Sequence, residues 1–211
     1  MKIVIGSSNE GKVSEFREML KQSKALEEAE VLSLKDINFD KKIEENGKTF
    51  AENAFIKAKT ISEFCKEKGF YKGDCIVICD DSGFIIDELP DRLGVLTARD
   101  YGGKEVTDRE KNLAILNELK EKGFSEAHCH YIVDLCFTTD NIGFHHEKGE
   151  VSGKVVEPRG TNGFAFDEIF ELESGKTFAE LTAEEKNNIS HRGLAMKEII
   201  NYLEDIFDEW E

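Results

Sequence analysis

The sequence predicts an α/β domain, a long mixed β-sheet with flanking helices. Short apolar runs, KIVIG at 2–6 and CIVIC at 75–79, read as buried strands. Stretches with apolar residues every three or four positions read as amphipathic helices. The two kinds of segment interleave along the chain, which favours a sheet with helices packed on it. With 211 residues and 23.9 kDa, the chain suits one compact domain spanning 1–211. A domain of that size buries about 70% of its extended-chain surface and needs no disulfide support. Apolar residues at 39% and only two prolines argue against disorder.

The elements follow in order. After KIVIG, Val13, Phe16 and Leu20 recur at helical spacing, so the Gly/Ser/Asn stretch 6–9 lies where a strand becomes a helix. VLSL at 31–34 reads as a second strand. A polar segment then leads into a helix of about twenty residues, with Ala51, Ala54, Phe55, Ala58, Ile61 and Phe64/Cys65 on one face. Thr49 and Glu52 have capping-box spacing at its start. CIVIC is expected to run into a turn at Asp80-Asp81-Ser82-Gly83. Residues 107–123 form another amphipathic helix, and 130–139 and 144–156 read as paired strands. Thr182 with Glu185 repeats the capping box. A last helix passes through Ala195, Ile199, Leu203, Ile206/Phe207 and Trp210.

Charge limits the partners. With 28 Lys+Arg against 44 Asp+Glu, the net charge of −16 repels polyanions, so neither nucleic acid nor an anionic membrane is an expected partner. A small anion can still bind beside local cations or a divalent metal. The five cysteines at 65, 75, 79, 129 and 136 lie in apolar runs and read as buried thiols. Cys75 and Cys79 with His128, His130, His145 and His146 make a weak zinc pattern, because the Cys-x3-Cys spacing has no matched second pair. The start has no leader pattern, and no apolar run approaches ~18 residues, so a reduced, cytoplasmic protein is expected.

The stretch GSSNEGKV at 6–13 almost spells a P-loop, but Val13 stands where a metal-binding hydroxyl is needed and Ser14 comes one position late. Since CIVICDD resembles a Walker B strand, a P-loop-like NTPase cleaving the β–γ bond is one alternative. The local physics needs no motif name. Gly6 and Gly11 permit a tight turn, and Ser7, Ser8, Asn9 and the backbone N–H groups of a helix start attract anionic oxygen, with Lys12 one turn in. The plain reading is an N-cap at Asn9 or Ser8 followed by a solvated lysine.

Five segments decide between these readings. SSNEGKVSEF (7–16), IEENGKTFAENAFIKAK (43–59), DDSGFIIDELP (80–90), GTNGFAFDEIF (160–170) and SGKTFAELTAEEKNNISHRGLA (174–195) resemble, in order, the signatures of the inosine triphosphate pyrophosphatase family. That family hydrolyses non-standard purine nucleoside triphosphates to the monophosphate and pyrophosphate. The resemblance implies two lobes around a central nucleotide cleft, a homodimer, a Mg²⁺ cofactor, and ITP, dITP or XTP as substrate. This chain departs from the family's usual pattern at Leu93 in place of Pro, at Ala165 and Phe166 in place of Gly and Tyr or Trp, and at Glu168 in place of Pro.

The resemblance also assigns roles. Glu45 and Asp81 are implied as metal ligands, with Asp81 the catalytic base and Asp80 supporting the metal site. Lys12 and Lys57 neutralise phosphate charge, and Ser7, Ser8, Asn9 and Ser82 contact the nucleotide. Phe164 stacks on the purine, worth roughly 1–3 kcal/mol in comparable sites. Asp167 orients that pocket, and Lys186, His191 and Arg192 donate to a 6-keto group. Adenine offers an amino donor there, so the same donors would be left unpaired against it. From the residues alone, Glu45 reads as a solvated loop acid, Asp81 as a turn cap, Lys57 as part of a solvated helix face, Phe164 as core, and Ser-His-Arg as a helix start. A non-catalytic nucleotide-binding module and a pyrophosphatase for modified pyrimidines are the remaining alternatives.

Overall fold

In the computed structural model, which describes residues 1–24, 26, 28–70, 75–139 and 142–208, six strands join in one sheet. They are β1 (Lys2–Ile5), β2 (Glu30–Ser33), β3 (Cys75–Ile86), β4 (His128–Thr139), β5 (His145–Val155) and β6 (Phe170–Glu171), in the order β2-β1-β3-β4-β5-β6. β1 runs parallel to β2 and β3, whereas β5 and β6 are antiparallel, so the sheet is mixed as expected. The helices are α1 (Glu10–Leu20), α2 (Phe50–Glu67), α3 (Asp108–Glu121), α4 (Ala183–Ile189) and α5 (His191–Asp208). Trp210 lies outside the described residues. Among them, no helix is long and apolar enough to cross a membrane.

The chain divides into two compact units. The first comprises Met1–Asp81, Val133–Gly149 and Arg192–Glu211, the second Ser82–Ile132 and Glu150–His191. In the first unit, strand alternation sorts the apolar side chains. Ile3, Ile5, Ile76 and Ile78 pack with Val13, Phe16 and Leu20 of α1 and Ala195, Ile199 and Leu203 of α5. Val4, Val77 and Cys79 pack on the other side with Ala54, Ala58, Ile61 and Phe64 of α2. A strand covered on both faces has no room for polar alternation, which is why KIVI and CIVIC read as continuous apolar runs. All five cysteines are buried free thiols. The second unit is built on aromatics: Phe84 stacks on Phe166 at 4.8 Å between ring centroids, and Tyr131, Phe170 and Phe178 join them with Ile115 and Leu119 of α3.

Three expectations need correction. No turn begins at Asp80–Gly83, because β3 continues to Ile86; the fully buried Phe84 and Ile86 hold it extended despite the Ser-Gly pair. Phe55 does not join the buried face of α2 but is exposed, edge-on to Phe144 at 4.9 Å. At Thr49 only half the capping box forms: its hydroxyl accepts from Glu52 N, while the Glu52 carboxylate takes the Lys48 N–H. At Thr182 both halves are present.

The glycines of the near-P-loop serve packing. Neither adopts left-handed backbone, and Gly11 is an ordinary residue of α1. Gly6 donates its N–H to Ile78 O at 2.7 Å, and a Cβ there would overlap the Cys79 thiol and come within 2.8 Å of Ile61 Cδ1. Gly6→Ala is therefore expected to destabilise the protein by about 1–3 kcal/mol through overpacking, read as a lower denaturation midpoint.

Candidate functional site

The first unit gathers its charges where β1 and β3 meet the starts of α1 and α2. Asn9 caps α1, its side chain accepting from Lys12 N at 3.2 Å, and Ser7 Oγ accepts from Asn9 N at 3.2 Å. Ser8 is exposed beside them and Ser82 half-buried. Lys12 is not the solvated lysine of the plain reading: its Nζ donates to Asp80 Oδ2 at 2.6 Å. Arg192, at the start of α5, brings its Nε to 3.4 Å from the same oxygen and donates through Nη1 to Glu15 Oε2 at 2.7 Å. Asp80, with a side chain only 1% exposed, thus lies between two cations.

Because β3 stays extended, Asp81 faces the other way, with Val77 and Cys79, toward α2. Asn53 Nδ2 donates to its Oδ2 at 3.0 Å, and Lys57 Nζ reaches its Oδ1 at 3.3 Å. Lys57 also donates to Glu45 Oε2 at 2.7 Å. Helical periodicity puts Lys57 on a solvated face, yet its side chain is 12% exposed and gripped by two carboxylates. Asn53 Oδ1 in turn accepts from Gly47 N at 2.8 Å, tying the Glu45 loop to α2.

These surroundings separate the two adjacent acids. Burial alone would raise the Asp80 carboxyl, but Lys12, Arg192 and Lys57 outweigh it and hold the group well below the usual carboxylate range. At Asp81 burial wins, and the carboxyl is raised despite Lys57 and the Asn53 amide. Burial opposes the charge of Lys57 too, but Asp80, Asp81 and Glu45 together hold its ammonium above its ordinary value. Asp80 is a fixed anion; Asp81 is the better proton acceptor.

The donor set fits a hard divalent cation. Glu45 and Asp81 already converge on one positive group, the Lys57 ammonium, and both offer carboxylate oxygen. Among the described residues, no three or more His, Cys, Asp or Glu side chains form a ready metal cage. Magnesium asks for less, since it commonly takes one or two carboxylates and completes its shell with phosphate and water.

The second unit presents a different chemistry around Asp167. This buried carboxylate accepts from Lys186 Nζ at 2.6 Å and Phe164 N at 2.9 Å through Oδ2, and from Tyr131 OH at 3.3 Å through Oδ1. The Lys186 ammonium lies 4.7 Å from the centroid of the Phe164 ring, a cation–π contact. Phe164 is half-buried rather than core. His191 is buried and stacks on Tyr131 at 4.7 Å with rings nearly parallel at 4°. Gly163 has φ of 77°, and a Cβ there would overlap the Asp167 carboxylate, so only glycine fits.

The structure thus brings Lys12, Asp80 and Arg192 into one cluster, Glu45, Lys57 and Asp81 into another, and Phe164, Asp167 and Lys186 into a third. Sequence reasoning missed Glu15, Asn53 and Tyr131. Helical spacing held a signal for two of them: Glu15 shares a face with Lys12 three residues before it, and Asn53 with Lys57 four residues after it.

Comparison with known proteins gives consistent results. The model of the Ham1 family matches residues 3–202. A Bacillus licheniformis protein named dITP/XTP pyrophosphatase is 41% identical over 206 residues, covering 96% of this chain and 97% of its own. A Campylobacter jejuni subsp. doylei protein of the same name is 38% identical over 201 residues, covering 93% and 94%. Among solved structures, a HAM1 protein from Coxiella burnetii superposes with a TM-score of 0.79 at 32% identity, covering 97% of this chain and 99% of its own. The Ham1 protein of Staphylococcus aureus gives 0.75 at 30% identity, with the same coverage.

Two stability measurements test the geometry. A carboxyl depressed on folding lends stability that is complete above its unfolded pKa of about 3.9 and is lost as pH falls through the lower folded value. Asp80→Asn in metal-free protein should cost on the order of 3 kcal/mol at neutral pH. In urea melts its gap to wild type should narrow as pH falls from about 4 toward about 2; a constant gap would refute the ionised Asp80. Ala165 is held at φ 56°, where a side chain is strained by roughly 1–2 kcal/mol. Ala165→Gly should therefore raise stability by about 0.5–1 kcal/mol after glycine's own entropic cost, seen as a higher melting temperature.

Proposed function

The chain belongs to the Ham1 family, and from that premise we propose that it hydrolyses ITP, dITP and XTP to the nucleoside monophosphate and pyrophosphate, removing non-canonical purines from the nucleotide pool. It is a nucleoside triphosphate pyrophosphatase, with residues 1–211 working as one functional domain. The observation that carries the site assignment is the division of labour between two consecutive acids. Asp80 is held as an anion by Lys12 and Arg192, while Asp81 sits with Glu45, Lys57 and Asn53.

In this reading Asp81 takes the proton of a water whose oxygen attacks the α-phosphorus. The bond from that phosphorus to the bridging oxygen breaks, and pyrophosphate leaves. Lys12 and Lys57 offset the phosphate charge, with Ser7, Ser8, Asn9 and Ser82 as hydrogen-bonding groups nearby in sequence. A divalent cation, Mg²⁺ by donor chemistry, would be held by Glu45 and Asp81 and would neutralise developing charge on the phosphates. Asp80 fixes Lys12 and does not itself take a proton.

Base recognition falls to the second unit. Phe164 offers a purine-stacking face, Lys186 and His191 offer donors to a 6-keto oxygen, and Asp167 fixes Lys186. Arg192, assigned by resemblance to the base, also donates to Asp80 through Nε and to Glu15 through Nη1, and so helps to hold Asp80. Against the β–γ rival stands Val13, a residue of α1 whose apolar side chain is buried in the core and offers no hydroxyl to a metal. The reading includes a homodimer, carried by the family resemblance, and a cytoplasmic location, consistent with five free thiols.

Phosphorus NMR of ITP with protein and Mg²⁺, beside GTP and ATP, tests the reaction. IMP and pyrophosphate are the expected products, with kcat lower by about 100-fold or more in Asp81→Asn. IDP and orthophosphate would favour the P-loop rival. Tight binding without turnover would leave a nucleotide-binding module.

A further inference from the structure

The loop that carries Phe164 is bound by side chains at each of its central peptide groups. Phe164 N donates to Asp167, Ala165 N to Asp108 Oδ2 at 2.7 Å, and Phe166 N to the Tyr131 hydroxyl at 3.2 Å. The Ala165 carbonyl accepts from Asn112 Nδ2 at 3.1 Å. Asp108 and Asn112 lie one turn apart at the start of α3, on one helix face. Arg109, between them, adds an exposed ion pair to Glu168 at 2.8 Å. Ala165 itself has left-handed backbone, a conformation that a residue with a Cβ keeps only where its surroundings over-determine it. Of the three groups that fix its peptide links from outside the loop, Asp108 and Asn112 come from α3 and Tyr131 from β4.

We propose that the first turn of α3 is the positioning element for base selectivity: Asp108 and Asn112 lock the left-handed Ala165, which fixes the Phe164 ring against Lys186. This rests on the reading of Phe164 and Lys186 as the base-recognition groups. A donor rejects the wrong base only if it cannot move to avoid it, because discrimination comes from leaving polar groups unpaired. Asp167 holds the Lys186 ammonium, and α3 holds the ring above it. Asp108 and Asn112 touch no reacting atom; they act through the loop backbone.

Asp108 is exposed, so its replacement tests the idea without threatening the core. Asp108→Ala removes both the hydrogen bond and the helix-start charge, whereas Asp108→Asn removes the charge alone and keeps an acceptor. Two readouts are taken on wild type and both variants: hydrogen exchange at the Ala165 amide in nucleotide-free protein, and kcat/KM for ITP relative to ATP. In Asp108→Ala the Ala165 amide should exchange faster and selectivity should fall about tenfold, mainly through a higher KM for ITP. Asp108→Asn should stay within about twofold of wild type on both counts. Unchanged selectivity in Asp108→Ala overturns the proposal, as does an Asn variant that behaves like the Ala one, since charge would then be the cause. A wild-type protein that does not distinguish ITP from ATP defeats the reading of base recognition, and the proposal with it. That failure shows in wild type alone.

Discussion

An extended strand sends successive side chains to opposite faces, and the first unit depends on β3 obeying that rule through its two acids. Were the chain to turn at Ser82, Asp80 and Asp81 could share one environment and repel each other. Continued to Ile86, the strand delivers Asp80 to α1 and α5 and Asp81 to α2. The helices meet them with cations whose positions follow from helix starts: Lys12 lies one turn past the Asn9 cap, and Lys57 one turn after Asn53. One acid is therefore held ionised among cations, and the other is desolvated beside Lys57 and the Asn53 amide.

The second unit solves a different electrostatic problem by the same means. A buried ammonium such as Lys186 is tolerated only where a partner balances it and the partner's other oxygens are satisfied. Asp167 does this while also receiving the Phe164 amide and the Tyr131 hydroxyl, so the charge pair and the aromatic loop are parts of one hydrogen-bonded structure. The aromatic core beneath, with Phe84 stacked on Phe166, keeps that structure from relaxing.

Much of the fold was legible in the sequence, because strands covered on both faces and helices with a 3.6-residue stripe leave periodic marks. The caps at Asn9 and Thr182 were legible for the same local reason. Misreadings arose where distant packing overrode a local rule. Ser82-Gly83 looks like a turn, but the burial of Phe84 and Ile86 outweighs it. Lys57 looks solvated because periodicity cannot register a carboxylate 24 residues away. In the site, resemblance supplied the residues, but it did not give the physical difference between Asp80 and Asp81 or reveal Asn53, Tyr131 and Asp108. Their roles lie in hydrogen bonds between segments far apart in the chain.

The Asp80 cluster has a consequence for synthesis. Its contacts span 68 residues to Lys12 and 112 to Arg192, and Arg192 reaches back 177 residues to Glu15. A chain emerging from the ribosome carries Glu15, Lys12 and Asp80 long before Arg192 appears. Until the α5 segment is released, Asp80 lacks Arg192 but has Lys12, and Glu15 lacks the Arg192 guanidinium. Loop closure over such distances comes late in folding. The Asp80 cluster is thus completed only once the last helix is available, and a truncated product lacking that helix carries the acids without the structure that governs them.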